Sequence, residues 1–153
     1  MNELLFKATH PFIRLYWWAL RPKTYGSRAL ILYNNKILLA RNINTNYWSL
    51  PGGKIALPES PEECILRELI EELNLSDLEI GYKLGEYISK NEGKRDTVHI
   101  FVIRLNSLRF QKQWELEDAQ WFELDNLPKN ISLATSRRIT EYLSGGKDLI
   151  GDW

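Results

Sequence analysis

The sequence is poor in cross-links and in soft metal ligands. A single cysteine excludes an internal disulfide, and two histidines leave too few ligands for a typical structural zinc site. Any bound metal is therefore expected to be a hard cation held by oxygen. No apolar run approaches the ~20 residues that a membrane-spanning helix needs. The start of the chain lacks a long apolar core and a small-residue cleavage site, so no targeting segment is expected and a cytoplasmic location is. An excess of one charge sign is missing too. Twenty Lys and Arg balance twenty Asp and Glu, which argues against a general nucleic-acid binder. Repeats, low-complexity tracts and an interdomain linker are also lacking. What remains is 153 residues, 44% hydrophobic and 26% charged, the make-up of one globular domain.

The neutral total hides a separation of charge. From Glu59 to Glu79 there are eight acids (Glu59, Glu62, Glu63, Glu68, Glu71, Glu72, Asp77 and Glu79) and one base, Arg67, a net charge of −7. The rest of the chain carries 19 bases and 12 acids, a balance of +7. A solvated helix face is the ordinary meaning of an acidic run, but such faces usually interleave Lys or Arg for i,i+4 support. This one does not.

Residues 1–22 are expected to form an N-terminal amphipathic segment, and residues 23–153 the domain itself. Within the first, Phe12–Leu20 reads as a short aromatic helix ending at Arg21-Pro22. It would pack on the domain, or use Tyr16, Trp17 and Trp18 at a membrane surface or in a homodimer. Arg28–Tyr33 and Lys36–Ala40 read as a hairpin, with Asn34-Asn35 supplying the left-handed turn positions. Tyr47–Leu50 reads as a third strand stopped by Pro51-Gly52-Gly53. Further strands are expected at Lys83–Ser89, Thr97–Leu105 and Trp121–Leu124, with a turn at residues 91–94. Ser132–Leu143 reads as a closing helix followed by Gly145-Gly146. The pattern is an α/β mixed sheet with helices between and after strands.

The acidic run contains a well-marked helix. Ser60 suits the N-cap, Pro61 the first helical position, and Glu63 completes a capping box. Leu66, Leu69, Ile70 and Leu73 fall within an arc of roughly 100°, and Glu68, Glu71 and Glu72 within a similar arc on the opposite side. Asn74 stands where a left-handed C′ residue should stop the helix. Three carboxylates on one exposed face repel one another by at most about 0.5 kcal/mol per pair, a penalty a protein can tolerate without a function. The same spacing forms a chelate for Mg²⁺ or Mn²⁺.

The surroundings of that helix read Gly53, five residues, Glu59, seven residues, then Arg67-Glu68-Leu69-Ile70-Glu71-Glu72-Leu73-Asn74-Leu75. This resembles the signature of the Nudix (MutT-like) hydrolases at every charged position. Asn74 replaces the family's glycine, and Ala56 and Pro58 stand where many members carry glutamate and glycine. Asn tolerates positive φ, so the helix stop should survive. Trp48–Gly53 resembles the strand leading into the box, and Trp121–Pro128 the family's late strand and turn. The resemblance implies the Nudix fold, an α/β/α sandwich around a mixed sheet.

It also implies chemistry. Nudix enzymes split a pyrophosphate bond with divalent ions, by charge neutralisation and alignment of an attacking water. By position, Glu68, Glu71 and Glu72 are the implied metal ligands, with Glu71 also catalytic. The carbonyl of Gly52 or Gly53 would be a further ligand. Arg67 would orient a neighbouring glutamate, with Glu59 as its partner, and Glu115, favoured over Glu117, would join from a later loop. Arg28, Arg41 and Lys54 flank the box and are candidates for holding an anionic substrate. Tyr47 and Trp48 could stack on a base, although a core role suits Trp48 better, and Cys64 reads as a packed thiol. Subfamily markers are mostly absent. The expected partner is a small nucleotide, a nucleoside-diphosphate sugar first and a (deoxy)nucleoside triphosphate second. A non-catalytic nucleotide-binding domain is less favoured, because every glutamate of the signature is present.

Overall fold

The computed structural model describes residues 23–76, 78–90 and 95–153. The Phe12–Leu20 segment, its boundary at residue 22, the dimer or membrane contact resting on it, and the 91–94 turn all lie outside the described residues. The elements in chain order are β1 (Lys23–Tyr33), β2 (Lys36–Asn42), β3 (Gly52–Lys54), α1 (Pro61–Leu73), β4 (Ile80–Ser89), β5 (Arg95–Arg104), β6 (Leu116–Glu123), α2 (Leu133–Leu143) and β7 (Leu149–Asp152). Seven strands form one mixed sheet in the order β6-β2-β1-β5-β4-β7, with β3 paired to β1 beside that path. The β1–β5 and β4–β7 pairs are parallel and the others antiparallel. Among the described residues no helix is long and apolar enough to cross a membrane.

Central strands buried on both faces should read as near-continuous apolar runs, and β1 does. Ala29 and Ile31 face a core shared with Ile65, Leu69 and Leu73 of α1, while Leu30 and Leu32 face one shared with Ile139 of α2. The sheet is therefore the middle layer of an α/β/α sandwich. The β1–β2 turn carries Asn34 at φ 51°, the left-handed position its sequence announced, and Asn35 needs none.

Three expectations are corrected. Tyr47–Leu50 is no strand. It makes only isolated bridges, Ser49 to Ala40 and Trp48 to Ile131, and the glycine pair meant to stop it begins β3. The chain here crosses from β2 to β1: Ala40 pairs with Ser49, then the Ala29 amide donates to the Pro51 carbonyl, and Arg28 lies opposite Gly52. Gly52 makes that crossing at φ 128°, open to glycine alone. Second, β4 starts at Ile80 and β6 at Leu116, earlier than their apolar cores suggested. Third, β7 had no signal, because four residues paired to an edge carry too little pattern to stand out.

Candidate active site

Helix α1 begins as its sequence dictates. The Glu63 amide donates to the Ser60 hydroxyl at 3.1 Å and the Ser60 amide to the Glu63 carboxylate at 2.7 Å. The Ser27 hydroxyl donates to the Pro61 carbonyl at 2.8 Å and ties that first turn to β1. At the far end Asn74 adopts φ 53°, so asparagine takes the place of the signature glycine without loss of the helix stop.

Arg67 organises the acidic face. Its guanidinium grips Glu59 with two hydrogen bonds, at 3.0 and 2.7 Å, and donates to the Lys54 carbonyl at 3.1 Å. Its remaining nitrogen donates to Glu68 at 2.8 Å and to Glu71 at 2.9 Å. A planar five-donor fork can bridge a loop and two successive helical turns in this way; a lysine could not. The Arg67 hydrogen bonds, helped by the Ala56 amide, hold the Glu59 carboxyl down at about 2.

The three helix carboxylates do not share one exposed face. Glu71 is about half exposed at 48%, Glu68 mostly covered at 12%, and Glu72 buried at 6%. The buried stripe of α1 runs through Ile65, Leu69 and Glu72, at i, i+4 and i+7, while Ile70 points outward. The helix is thus rotated toward Ile65 relative to its expected apolar arc. What makes this tolerable is a backbone donor, the Gly52 amide, 2.8 Å from the Glu72 carboxylate. Burial still pushes the Glu72 carboxyl up to about 7, against the Gly52 hydrogen bond and the charge of Arg28, with Glu68 and Glu115 adding repulsion. Of the two later glutamates, Glu115 adds to that repulsion, and Glu117 lies 3.4 Å from Arg41.

Other expected site residues fall as follows. The Gly52 carbonyl, expected as a further metal ligand, accepts a hydrogen bond from Arg28. Arg28 is correspondingly committed to the glycine turn as well as facing a cleft. Arg41 sits over the Trp48 ring at 5.2 Å and near Glu117 and Asp118 of β6. Lys54 and Gly53 line a cleft of about 310 Å³ together with Arg28. Trp48 is core, edge-on to Phe122 at 4.9 Å, and Tyr47 is half exposed. Cys64 is fully buried and its thiol is pushed up to about 11, chiefly by burial, which makes it a packing group.

Among the described residues no three acidic, histidine or cysteine side chains converge as a ready metal cage. Arg67 holds Glu68 and Glu71, and the Gly52 amide holds Glu72. The donor chemistry nevertheless fits a hard divalent cation: Glu72 is a buried carboxylate with no ion-pair partner among the described residues, repelled by two neighbours of its own sign.

That burial has a measurable consequence in metal-free protein. The folded Glu72 pKa lies above the ordinary 4.5, so the unfolded chain releases this proton first as pH rises. Stability is then lost between pH about 4.5 and about 7 and is level above that. The loss has an upper bound of about 3 kcal/mol. Urea denaturation of metal-free protein across this range should show the decline, and Glu72→Gln should flatten it. An identical decline in the variant would place the titration elsewhere.

Known proteins agree with this architecture. The model of the NUDIX domain matches residues 23–143. The chain is 31% identical over 119 residues to an ADP-ribose pyrophosphatase of Methanocaldococcus jannaschii, covering 74% of this chain and 69% of that one. It is 26% identical over 128 residues to a putative 8-oxo-dGTP diphosphatase of Bacillus subtilis, covering 82% and 84%. A solved UDP-X diphosphatase superposes with a TM-score of 0.70 at 26% identity, covering 99% of this chain and 75% of that one. The match to the m7GpppN-mRNA hydrolase of Saccharomyces cerevisiae, 27% identical, spans only 12% of that protein's length. With the domain matched over most of its length and the α/β fold shared with solved relatives, this chain belongs to the MutT-like Nudix hydrolase family.

Proposed function

We propose that the protein hydrolyses the pyrophosphate bond of a nucleoside diphosphate linked to another moiety, a nucleotide sugar foremost, with Mg²⁺ or Mn²⁺ as cofactor. The observation that carries this is the Arg67 fork, which gathers Glu59, Glu68 and Glu71 beside the glycine turn that holds Glu72. Glu68, Glu71 and Glu72 would hold the cation, with Glu115 joining from the β5–β6 connection. When bound, the cation would supply charge neutralisation at the phosphate oxygens. Glu71, the most exposed of the three, accepts the proton of the attacking water. Arg67 and Glu59 hold these carboxylates in place, and Lys54 and Arg28 offer positive charge to the diphosphate. The ADP-ribose pyrophosphatase and the UDP-X diphosphatase among the similar proteins favour a nucleoside-diphosphate-linked substrate. The putative 8-oxo-dGTP diphosphatase keeps a (deoxy)nucleoside triphosphate as the second reading.

A Mg²⁺-dependent assay over nucleotide sugars, ADP-ribose and oxidised or normal deoxynucleoside triphosphates tests the ranking; highest kcat/KM on a triphosphate would hand preference to the second reading. Run in ¹⁸O-water, the reaction should leave the label on phosphorus. Label on the sugar's anomeric carbon would mean glycosidic cleavage and refute the anhydride mechanism.

A further inference from the structure

A cleft lies where β1, β3 and β5 meet, lined among others by Tyr25, Arg28, Gly53, Lys54, Asp96 and Trp153. The last of these comes from beyond β7, far in sequence from the acidic helix. Trp153 also lines a second cleft of about 260 Å³ with Arg28 and Tyr47, so this residue is shared by the two. We propose that Trp153 is the platform on which the base of the substrate nucleotide stacks, a reading that rests on the proposed function and names how its site would recognise the nucleoside.

Three features support the assignment. First, the ring is held in place. Trp153 donates its amide to the Ile88 carbonyl at 3.1 Å, and its ring lies 6.4 Å from that of Tyr87 and 5.9 Å from the Arg138 guanidinium. Arg138 is only 2% exposed and stacks on Tyr87 at 3.6 Å. It donates to Glu141 at 3.0 Å and to the Asp152 carbonyl at 3.1 Å, while the Tyr87 hydroxyl donates to Glu141 at 2.6 Å. A buried ionic network of this kind leaves a fixed aromatic, which loses little freedom when a ligand stacks on it.

Second, the cleft is continuous with the carboxylates. A Cβ added at Gly53 would fall on the Glu68 carboxylate, so this residue lines the cleft and touches the acidic helix at once. Third, the charges are sorted along the cleft. On β1, Arg28 faces Gly52, Gly26 faces Lys54, and Thr24 faces Asp96. The four steps from Arg28 to Thr24 span about 13 Å at 3.3 Å per residue. Ile88, to which Trp153 is bonded, pairs with Thr97 and so lies at the Asp96 end. Arg28 and Lys54 suit the diphosphate, and Trp153 with the Asp96 carboxylate suits an uncharged base bearing N–H donors.

The test compares two non-hydrolysable anions in the presence of Mg²⁺: α,β-methylene-ADP, which carries a nucleoside, and methylenediphosphonate, which does not. Calorimetric titration of the full chain should show Trp153→Leu weakening α,β-methylene-ADP about tenfold, in line with loss of one base–aromatic stack, while methylenediphosphonate is unchanged. Trp153→Phe should restore most of the nucleotide affinity. Equal weakening of both ligands would make Trp153 a structural residue, and no weakening of either would remove it from the site; either result overturns the proposal. Because binding is read without turnover, this result stands apart from the hydrolysis assay, whose failure would strike the proposed function instead.

Discussion

Glu71→Gln and Glu72→Gln should each lower Mg²⁺-dependent hydrolysis at least about a hundredfold, equivalent to about 2.7 kcal/mol of lost barrier reduction. Both changes remove one negative charge and keep nearly the same shape. In the first variant the new amide oxygen can still accept from Arg67, which lies 2.9 Å from the native Glu71 carboxylate. In the second it can still accept from the Gly52 amide, 2.8 Å from the native Glu72 carboxylate. The fold should therefore persist, and Glu72→Gln should make metal-free protein more stable at neutral pH, since it removes a buried charge. Steady-state rates and thermal melts of both variants, with and without Mg²⁺, check this pairing of lost activity with retained stability. Near-normal turnover in both would remove these glutamates from the chemistry.

Adjacent glycines are predicted to fail in different ways. Gly52→Ala places a Cβ on the Ser27 carbonyl oxygen and 2.9 Å from the Ile65 Cδ1, at a backbone φ of 128° that alanine avoids. Neither the backbone nor the fully buried Ile65 can move away cheaply, so strain and overpacking together should cost about 3 kcal/mol or more. That is a large share of the stability of an ordinary domain. At Gly53 the three atoms nearest the added Cβ all belong to the end of the Glu68 side chain, which can swing aside. Gly53→Ala should melt close to the wild type and lose most of its hydrolysis, because the displaced carboxylate is one of the proposed ligands. Urea titration beside an activity assay separates the two. Equal stability of the two variants would mean that the crossing from β2 to β1 is looser than its geometry indicates.

The parts of this site that are legible in the sequence are local ones. A capping box needs only Ser60 and Glu63, and both hydrogen bonds form. A helix stop needs only a residue content with positive φ, and Asn74 provides it. The pairing of Arg67 with Glu59 is legible because the signature spacing carries it, and the two-pronged contact is present. The helical arc is less so. Periodicity ranks residues by their own polarity, so it turns Glu72 to solvent and Ile70 to the core. The structure reverses both, because a backbone amide from a distant loop waits for that carboxylate.

Sequence alone determined that a capped acidic helix follows a glycine turn, that a base sits among its carboxylates, and which family the arrangement resembles. Those properties depend on residues within one or two helical turns, or on spacing along the chain. Only the tertiary structure decided that Glu72 is buried and that Arg28 takes the Gly52 carbonyl. It also decided that Trp153 shares a cleft with Gly53. Each of these joins groups 20 or more residues apart, brought together by sheet register and burial. The energy of such contacts exists only once the chain has closed on itself, so no local pattern encodes it.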